Sequence, residues 1–227
     1  DLIAFLSRSK YRIGPGSLSE QENLTGFLYN YPVDLSWRNE PLKHQTQRNI
    51  DILRDFKLSV SDYSLMVGLT SEEKEYGYLY FQKKHVKGKI PVGIHPGAGK
   101  LNNQWPAEKF CQLIELLMEN NNCEIFITEG PMDKIPVEQI RNKFGDRINY
   151  ILEGNVRNVA SIIRNMTIFI SNDTGIMHVA SAVNIPVLAL FGETDPLQWA
   201  PKGEKDKYLL GKEGKINNIS VEKVYDS

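Results

Sequence analysis

The chain has 227 residues, with 27 Lys and Arg against 28 Asp and Glu and a formal net charge of −1. A hydrophobic share of 41% with 24% charged residues is ordinary globular composition, which excludes a fibre or a disordered chain, and near-neutral charge gives no electrostatic footprint for nucleic acid. No uninterrupted apolar run approaches the length of a membrane span, and Cys111 and Cys123 lie in no CxxC or Cys/His pattern, so their expected roles are helix and strand packing in a reducing cytoplasm.

The sequence opens Asp1, Leu2, Ile3, Ala4, Phe5, Leu6, without an initiator Met or a basic n-region, inside what reads as a helix. The chain is therefore read as processed or as a piece of something longer. Gly14, Pro15 and Gly16 read as a turn, residues 31–37 as a strand, and residues 44–56 as a helix with Ile50, Leu53 and Phe56 apolar. Thr70, Ser71, Glu72 and Glu73 make a capping-box pattern that opens a helix running towards Lys84. The basic run 83–89 reads as a solvated linker and as the boundary between a first domain, 1–89, and a second, 90–227.

From Ile90 onward, short apolar runs alternate with amphipathic segments. The runs cover 92–94, 124–127, 149–152, 167–170 and 186–191. Helical patterns lie between some of them, with Phe110, Leu113, Ile114 and Leu117 on one face of 107–119. Val159, Ile162 and Ile163 do the same in 156–165, and 177–183 reads as a short helix of small residues. Strands apolar on both faces, alternating with helices, predict a parallel sheet covered on both sides. Right-handed crossovers then make it a doubly wound, Rossmann-like α/β domain.

In such a sheet, ligands bind beyond the carboxyl ends of the strands. The first predicted strand is followed by His95, Pro96, Gly97, Ala98, Gly99 and Lys100, and the second by Thr128, Glu129 and Gly130. Glu153, Gly154 and Asn155 follow the third, Asn172, Asp173, Thr174 and Gly175 the fourth, and Gly192, Glu193, Thr194 and Asp195 the fifth. Turn and capping chemistry explains part of this pattern. The sharpest piece joins a strand to a helix through Asp173, Thr174 and Gly175. Asp173 or Thr174 serves as an N-cap there, and the same free N–H groups and dipole end suit a phosphate. His178 falls one turn into that helix, where a structural role competes with a ligand contact. Gly97, Ala98 and Gly99 form a second phosphate-approach loop, and Glu129 is placed to accept from sugar hydroxyls or to stand as a solvated carboxylate. Trp105 and Pro106 start a helix. No GxSxG, no HExxH and no acidic cluster with metal-ligand spacing occurs in the sequence.

Taken together, His95, Pro96, Gly97 and Ala98, the Trp105 and Pro106 pair, the Asn172 to Gly175 motif with His178, and the stretch Phe191, Gly192, Glu193, Thr194, Asp195, Pro196 ahead of Trp199 resemble glycosyltransferase family 9. These are the ADP-heptose:lipopolysaccharide heptosyltransferases. The likeness is specific over 90–201 and looser around Tyr11 to Gly14 and His44 to Asn49. It implies the GT-B architecture, with two Rossmann-like domains facing a cleft, here a donor domain preceded by an incomplete acceptor-side domain. It also implies that Asp173, Thr174 and Gly175 bind the donor diphosphate with His178 beside them and Gly97 and Ala98 along the same phosphates. Asp133 stands where the family has an acidic residue at the nucleotide ribose, and Asn155 in the loop at the base.

Two departures follow from the same resemblance. The family's Lys two residues before Trp-Pro is Asn103 here, with Lys100 as the nearest cation for the donor phosphates. The family's general-base Asp lies in a Gly-rich loop near its N-terminus, which nothing in this sequence matches, so no catalytic residue is assigned. The implied reaction transfers a heptose or related sugar from an ADP-sugar to a lipopolysaccharide core acceptor with inversion. It uses no metal and no cofactor, since the ADP-sugar is a substrate. The implied partners are that donor and a glycolipid acceptor, with no nucleic acid, at most peripheral membrane contact, and a cytoplasmic location. Two competitors stay open: a non-catalytic nucleotide-sugar binding module, and a transferase or epimerase of the same fold, the epimerase needing acid/base carboxylates of its own.

Overall fold

A computed structural model describes residues 2–18, 21–35, 37, 40–56, 58, 60–85, 87–120 and 122–227. Ser36 of the expected strand and Val86 of the basic run lie outside the described residues. The chain divides into two compact units, Asp1–Tyr63 with Leu197–Trp199, and Ser64–Pro196 with Ala200–Ser227.

In the smaller unit, β1 (Ile13–Leu18) runs parallel to β3 (Tyr31–Leu35) and antiparallel to β2 (Gln21–Glu22), in the order β2-β1-β3. Gly14, Pro15 and Gly16 therefore lie inside a strand, where a turn was expected. Close packing is the reason. A Cβ at Gly14 would stand 2.1 Å from the Tyr29 ring, and one at Gly16 would stand 3.0 Å from Pro32 Cβ. The glycines admit those neighbours, and the register shifts between Pro15 and Ser17. Two helices accompany the sheet, α1 (Leu2–Leu6) and α2 (Gln45–Asp51). His44 caps α2, its Nδ1 accepting from the Thr46 N–H. The single helix expected over 44–56 instead stops at Asp51, and Arg54–Phe56 is a separate 3-10 turn.

The larger unit carries β4 (Ile90–His95), β5 (Cys123–Thr128), β6 (Asn149–Ile151), β7 (Ile168–Asn172), β8 (Val187–Phe191) and β9 (Lys207–Leu210). All pairings are parallel, in the order β6-β5-β4-β7-β8-β9. The chain winds outward from β4 in one direction and then from β7 in the other, so the switch point falls between β4 and β7. Its helices are α3 (Ser71–Lys84), α4 (Ala107–Asn120), α5 (Lys134–Phe144), α6 (Val156–Ile163), α7 (Gly175–Ala182) and α9 (Val221–Tyr225), whereas α8 (Pro196–Trp199) has its residues from Leu197 on in the smaller unit.

Strand alternation feeds two cores. Ile125, Ile127, Ile170, Leu188 and Leu190 face α4, α5 and α9, through Phe110, Leu113, Ile140 and Val224. Phe126, Phe169, Ala189 and Phe191 face the opposite side, where Phe81, Val159, Ile162 and Met177 of α3, α6 and α7 cover them. Strands buried on both faces under helices on both sides are the expected Rossmann-like class.

Helix α3 belongs to this unit, because Phe81 stacks on Phe126 at 5.3 Å. Its N-terminus is the predicted capping box, with the Thr70 hydroxyl accepting from Glu73 N–H and the Glu73 carboxylate accepting from Thr70 N–H at 2.7 Å. The same carboxylate pairs with Arg157 in the first turn of α6, and that guanidinium, ahead of the Thr70 N–H, holds the Glu73 pKa down at about 2. Further along, α3 touches α6 so closely that a Cβ on Gly77 would stand 2.1 Å from the Ser161 carbonyl oxygen.

An exposed helical Gly→Ala change usually stabilises by about 0.5–1 kcal/mol. At Gly77 the collision is with backbone and reverses the sign, as overpacking typically costs about 1–3 kcal/mol. Urea unfolding of Gly77→Ala is therefore expected to show a lower midpoint at unchanged slope. A midpoint equal to or above the parent's would contradict this contact.

Candidate functional site

The site begins with a buried amide at the switch point. Asn172, the last residue of β7, is fully buried, its Nδ2 donating to the carbonyls of Pro96 at 2.9 Å and Gly97 at 3.1 Å. Its Oδ1 accepts from the Trp105 N–H at 3.1 Å. One side chain thus fastens both ends of the loop that follows β4. Trp105 is itself anchored, its indole N–H donating to the Ile219 carbonyl at 3.0 Å and its ring meeting Phe110 edge-on.

Between those fixed ends the loop presents Ala98, Gly99, Lys100 and a 3-10 turn, Leu101–Asn103. Lys100 is exposed, whereas Asn103 is buried. The Asn103 Nδ2 donates to Asp173 Oδ2 at 3.0 Å and to Thr194 Oγ1 at 2.8 Å. Thr194 in turn hydrogen-bonds Asp173. Burial raises the Asp173 pKa, opposed by the Thr194 bond and by the charges of His178 and Lys100. The sequence gives Thr194 no individual role; its signals are its place after β8 and its membership of the 191–196 stretch. Asn172 belongs to the Asn172 to Gly175 motif, but only the fold reveals its task.

Thr174 is the N-cap of α7, in extended conformation, and its side chain makes no capping bond. The first N–H groups of a helix lack intrahelical acceptors, so this end offers donors to a ligand. Gly175 is exposed, and a Cβ built there would meet no atom within 4 Å. The protein's own packing does not require glycine at that point. Gly97 is the opposite case: it is buried, and its Cβ would stand 1.9 Å from Asp133 Oδ1.

Asp133 is buried beneath the loops, where its Oδ2 accepts from the Gly130 N–H at 2.8 Å and lies 3.5 Å from His95 Nε2. His95 Nδ1 lies 2.9 Å from the Thr128 hydroxyl. Burial lowers the His95 pKa against the pull of Asp133, which leaves the imidazole neutral at physiological pH. This group braces the ends of β4 and β5. The two outermost candidates carry structural bonds as well: Glu129 pairs with Arg141 at 3.0 Å, and Asn155 caps α6 by accepting from the Arg157 N–H at 2.9 Å. The structure therefore gathers Lys100, Asn103, Asp173, Thr174, Gly175 and His178 at one point. Gly97 with Ala98 and Asp133 lie beside it, and Glu129 and Asn155 at the ends of β5 and β6. Among the described residues, no group of three His, Cys, Asp or Glu converges as metal ligands, and no helix is long and apolar enough to cross a membrane.

A six-stranded parallel sheet in this order, with amide- and glycine-bearing loops at its switch point, defines a doubly wound, Rossmann-like α/β domain. The chain belongs to glycosyltransferase family 9 (heptosyltransferase), whose sequence model matches residues 4–227. A putative glycosyltransferase of Haemophilus influenzae is 24% identical over 95% of this chain and 65% of its own length. Lipopolysaccharide heptosyltransferase 3 of Escherichia coli is 31% identical over 48% of this chain and 33% of its own. The chain thus spans less than two thirds of either relative. The structure of E. coli heptosyltransferase WaaC with ADP shares the fold, with a TM-score of 0.67 at 16% identity over 91% of this chain and 61% of that one.

Two variants test the architecture. Asn172→Ala strands one N–H and two carbonyls in the interior, and is expected to cost about 3 kcal/mol in denaturant unfolding. A loss below about 1 kcal/mol would show that the amide is not the tie. At Asp173 the raised pKa means that the ionised carboxylate costs stability, a cost absent at low pH that grows as pH rises through the folded-state pKa. Asp173→Asn is therefore expected to gain on the parent in thermal melts as pH is raised from acidic to neutral. A difference between the two that does not change with pH would contradict the burial of that charge.

Proposed function

We propose that this chain supplies the donor side of a glycosyltransferase that moves a heptose, or a related sugar, from an ADP-sugar to a lipopolysaccharide core acceptor. The observation that carries the reading is the convergence at the carboxyl end of β7: uncapped N–H groups at the start of α7, an open Gly175 backbone, and Asp173 fixed by Asn103 and Thr194. Family membership supports heptosyl transfer, and the relative named a lipopolysaccharide heptosyltransferase supports the acceptor class.

In the proposed reaction an acceptor hydroxyl attacks the anomeric carbon of the bound sugar. The bond to the leaving diphosphate breaks on the opposite face, so the configuration inverts. Negative charge grows on the departing ADP, where the α7 N-terminus and Lys100 stabilise it without a metal ion. Gly97 and Ala98 line the same phosphates, His178 stands beside them, and Glu129, Asp133 and Asn155 face the nucleoside. The proton of the acceptor hydroxyl passes to a base on the acceptor side, as the family resemblance implies. The enzyme works in the cytoplasm, meeting the membrane only peripherally, through its glycolipid acceptor.

One observation favours a second reading, a nucleotide-sugar binding module without transfer. Asn103 is neutral and its amide is committed to Asp173 and Thr194, so the loop brings Lys100 as its cation.

Calorimetric titration of the chain with ADP and ADP-heptose, with and without EDTA, tests the site. Saturable binding unaffected by EDTA is expected, weakened at least about tenfold in Asp173→Ala and Thr174→Ala. Equal affinity in parent and variants, or loss of binding in EDTA, would overturn the assignment. Transfer to a core acceptor by the intact protein separates the two readings, since binding without turnover decides for the module.

A further inference from the structure

A cavity of about 320 Å³ opens at the carboxyl ends of β8 and β9, next to the Asp173 cluster. Leu101 and Asn102 of the loop after β4 line it, with Glu193 from the loop after β8 and Gly214, Lys215 and Ile216 from the loop after β9. Its volume lies at the lower end of the range for small-molecule sites. Among the described residues, other cavities include one of about 210 Å³ at the opposite ends of β8 and β9 and one of about 380 Å³ between α4 and α5. In the first of these, Asp206 is taken up by Ser181 and by the N–H groups of Val187 and Gly203.

Two pairs of consecutive residues fix where the 320 Å³ cavity stands relative to the donor site. Asn103 and Thr194 turn towards Asp173. Their neighbours Asn102 and Glu193 meet each other instead, Nδ2 donating to Oε1 at 2.7 Å, in the cavity wall. The cavity is therefore the next compartment along the carboxyl edge of the sheet.

Its chemistry suits a sugar. Glu193 Oε2 takes no bond among the described residues, so a carboxylate oxygen is free to accept beside the Asn102 carboxamide. Lys215 adds an ammonium, paired with Glu213 at 3.2 Å, and Leu101 is 83% exposed, an apolar side chain presented at a polar rim. Carboxylate and amide bind paired hydroxyls, and a hydrocarbon side chain covers the C–H face of a ring. Backbone geometry holds this wall in place. Glu213 is left-handed at φ 58° and Gly214 follows at φ 68°, a conformation a non-glycine residue keeps only where its surroundings enforce it. At the base of the loop after β8, a Cβ on Gly192 would stand 2.6 Å from the Asn102 carbonyl oxygen.

We propose that this cavity is a sugar subsite, holding a polyhydroxylated ring beside the diphosphate, an inference that rests on nucleotide-sugar binding at Asp173. The ring is supplied by the donor or by the acceptor, and amide-resolved NMR of the full chain distinguishes them. The probes are ADP, ADP-heptose, and methyl heptoside added to the ADP-free and ADP-loaded chain. ADP is expected to shift residues 97–100 and 173–178.

Additional shifts at 101–102, 193 and 214–217 with ADP-heptose identify the donor sugar, and the same shifts with methyl heptoside identify an acceptor sugar. Either result upholds the subsite, and silence at those residues with both sugars overturns it. A chain that ignores ADP at 173–178 defeats the nucleotide reading, and the methyl heptoside titration of the ADP-free chain still decides the subsite. Glu193→Gln gives an independent measure. It is expected to weaken ADP-heptose or methyl heptoside binding about fivefold, the size of one hydrogen bond, with ADP affinity kept. An equal loss for ADP would show that Glu193 acts through the loop after β4, which overturns a sugar contact.

Discussion

The loops at the switch point of the larger sheet depend on the side chain of Asn172. Its amide closes the loop after β4 at both ends, at Pro96 and Gly97 on one side and Trp105 on the other. The residue after it, Asp173, has its own N–H bonded to the Leu190 carbonyl of β8, and its carboxylate reaches Asn103 and Thr194. Two consecutive residues at the end of one strand therefore join three loops: Asn172 organises the β4 side and Asp173 the β8 side. A leucine of similar volume in place of Asn172 would leave three buried polar groups unpaired, each costing about 1–3 kcal/mol. No gain in apolar contact offsets that, so an amide is the chemistry the junction requires.

Much of the larger unit was legible because its signals are local. Strands such as Cys123–Thr128 are apolar on both faces, and the Thr70/Glu73 capping box depends only on residues three apart. Other elements gave weak signals for identifiable reasons. Helix α5 places Val137, Ile140 and Phe144 at helical spacing, but Pro136 in its first turn interrupts the pattern. β9 is a four-residue edge strand, largely exposed, whose short run Tyr208, Leu209 and Leu210 stands without the longer apolar context of the central strands. Strand order is not a local property, yet it is what sets His95 of β4 beside Ser171 of β7 and creates the crevice.

Glycine shows the limit of reading composition as function. Gly97 and Gly175 both sit in glycine-bearing loops at strand ends, and the sequence treats them alike. In the fold they answer different demands, since Gly97 makes room for the Asp133 carboxylate and Gly175 lies against empty space. Gly14 and Gly16 mark a third case, in which a glycine pair signals close strand packing and not a turn. What decides between these roles is the neighbour a Cβ would strike, and that neighbour is remote in sequence.

The electrostatics of the site turn on an apparent conflict. A carboxylate that loses water on burial stands at the same helix end that is suited to an anion, and Asp173 has its pKa raised accordingly. The conflict is eased by direction. Asn103 Nδ2 and the Thr194 hydroxyl donate to Asp173, which disperses its charge into the protein, while the first N–H groups of α7 are not consumed by a side-chain cap. His178 and Lys100 both pull the Asp173 pKa down, so the carboxylate is embedded in positive potential. The α7 donors and the carboxylate thus lie side by side without neutralising each other. The cluster therefore sets a hydrogen-bond acceptor, Asp173, next to a row of donors at the start of α7, two opposite chemistries held within one turn of chain.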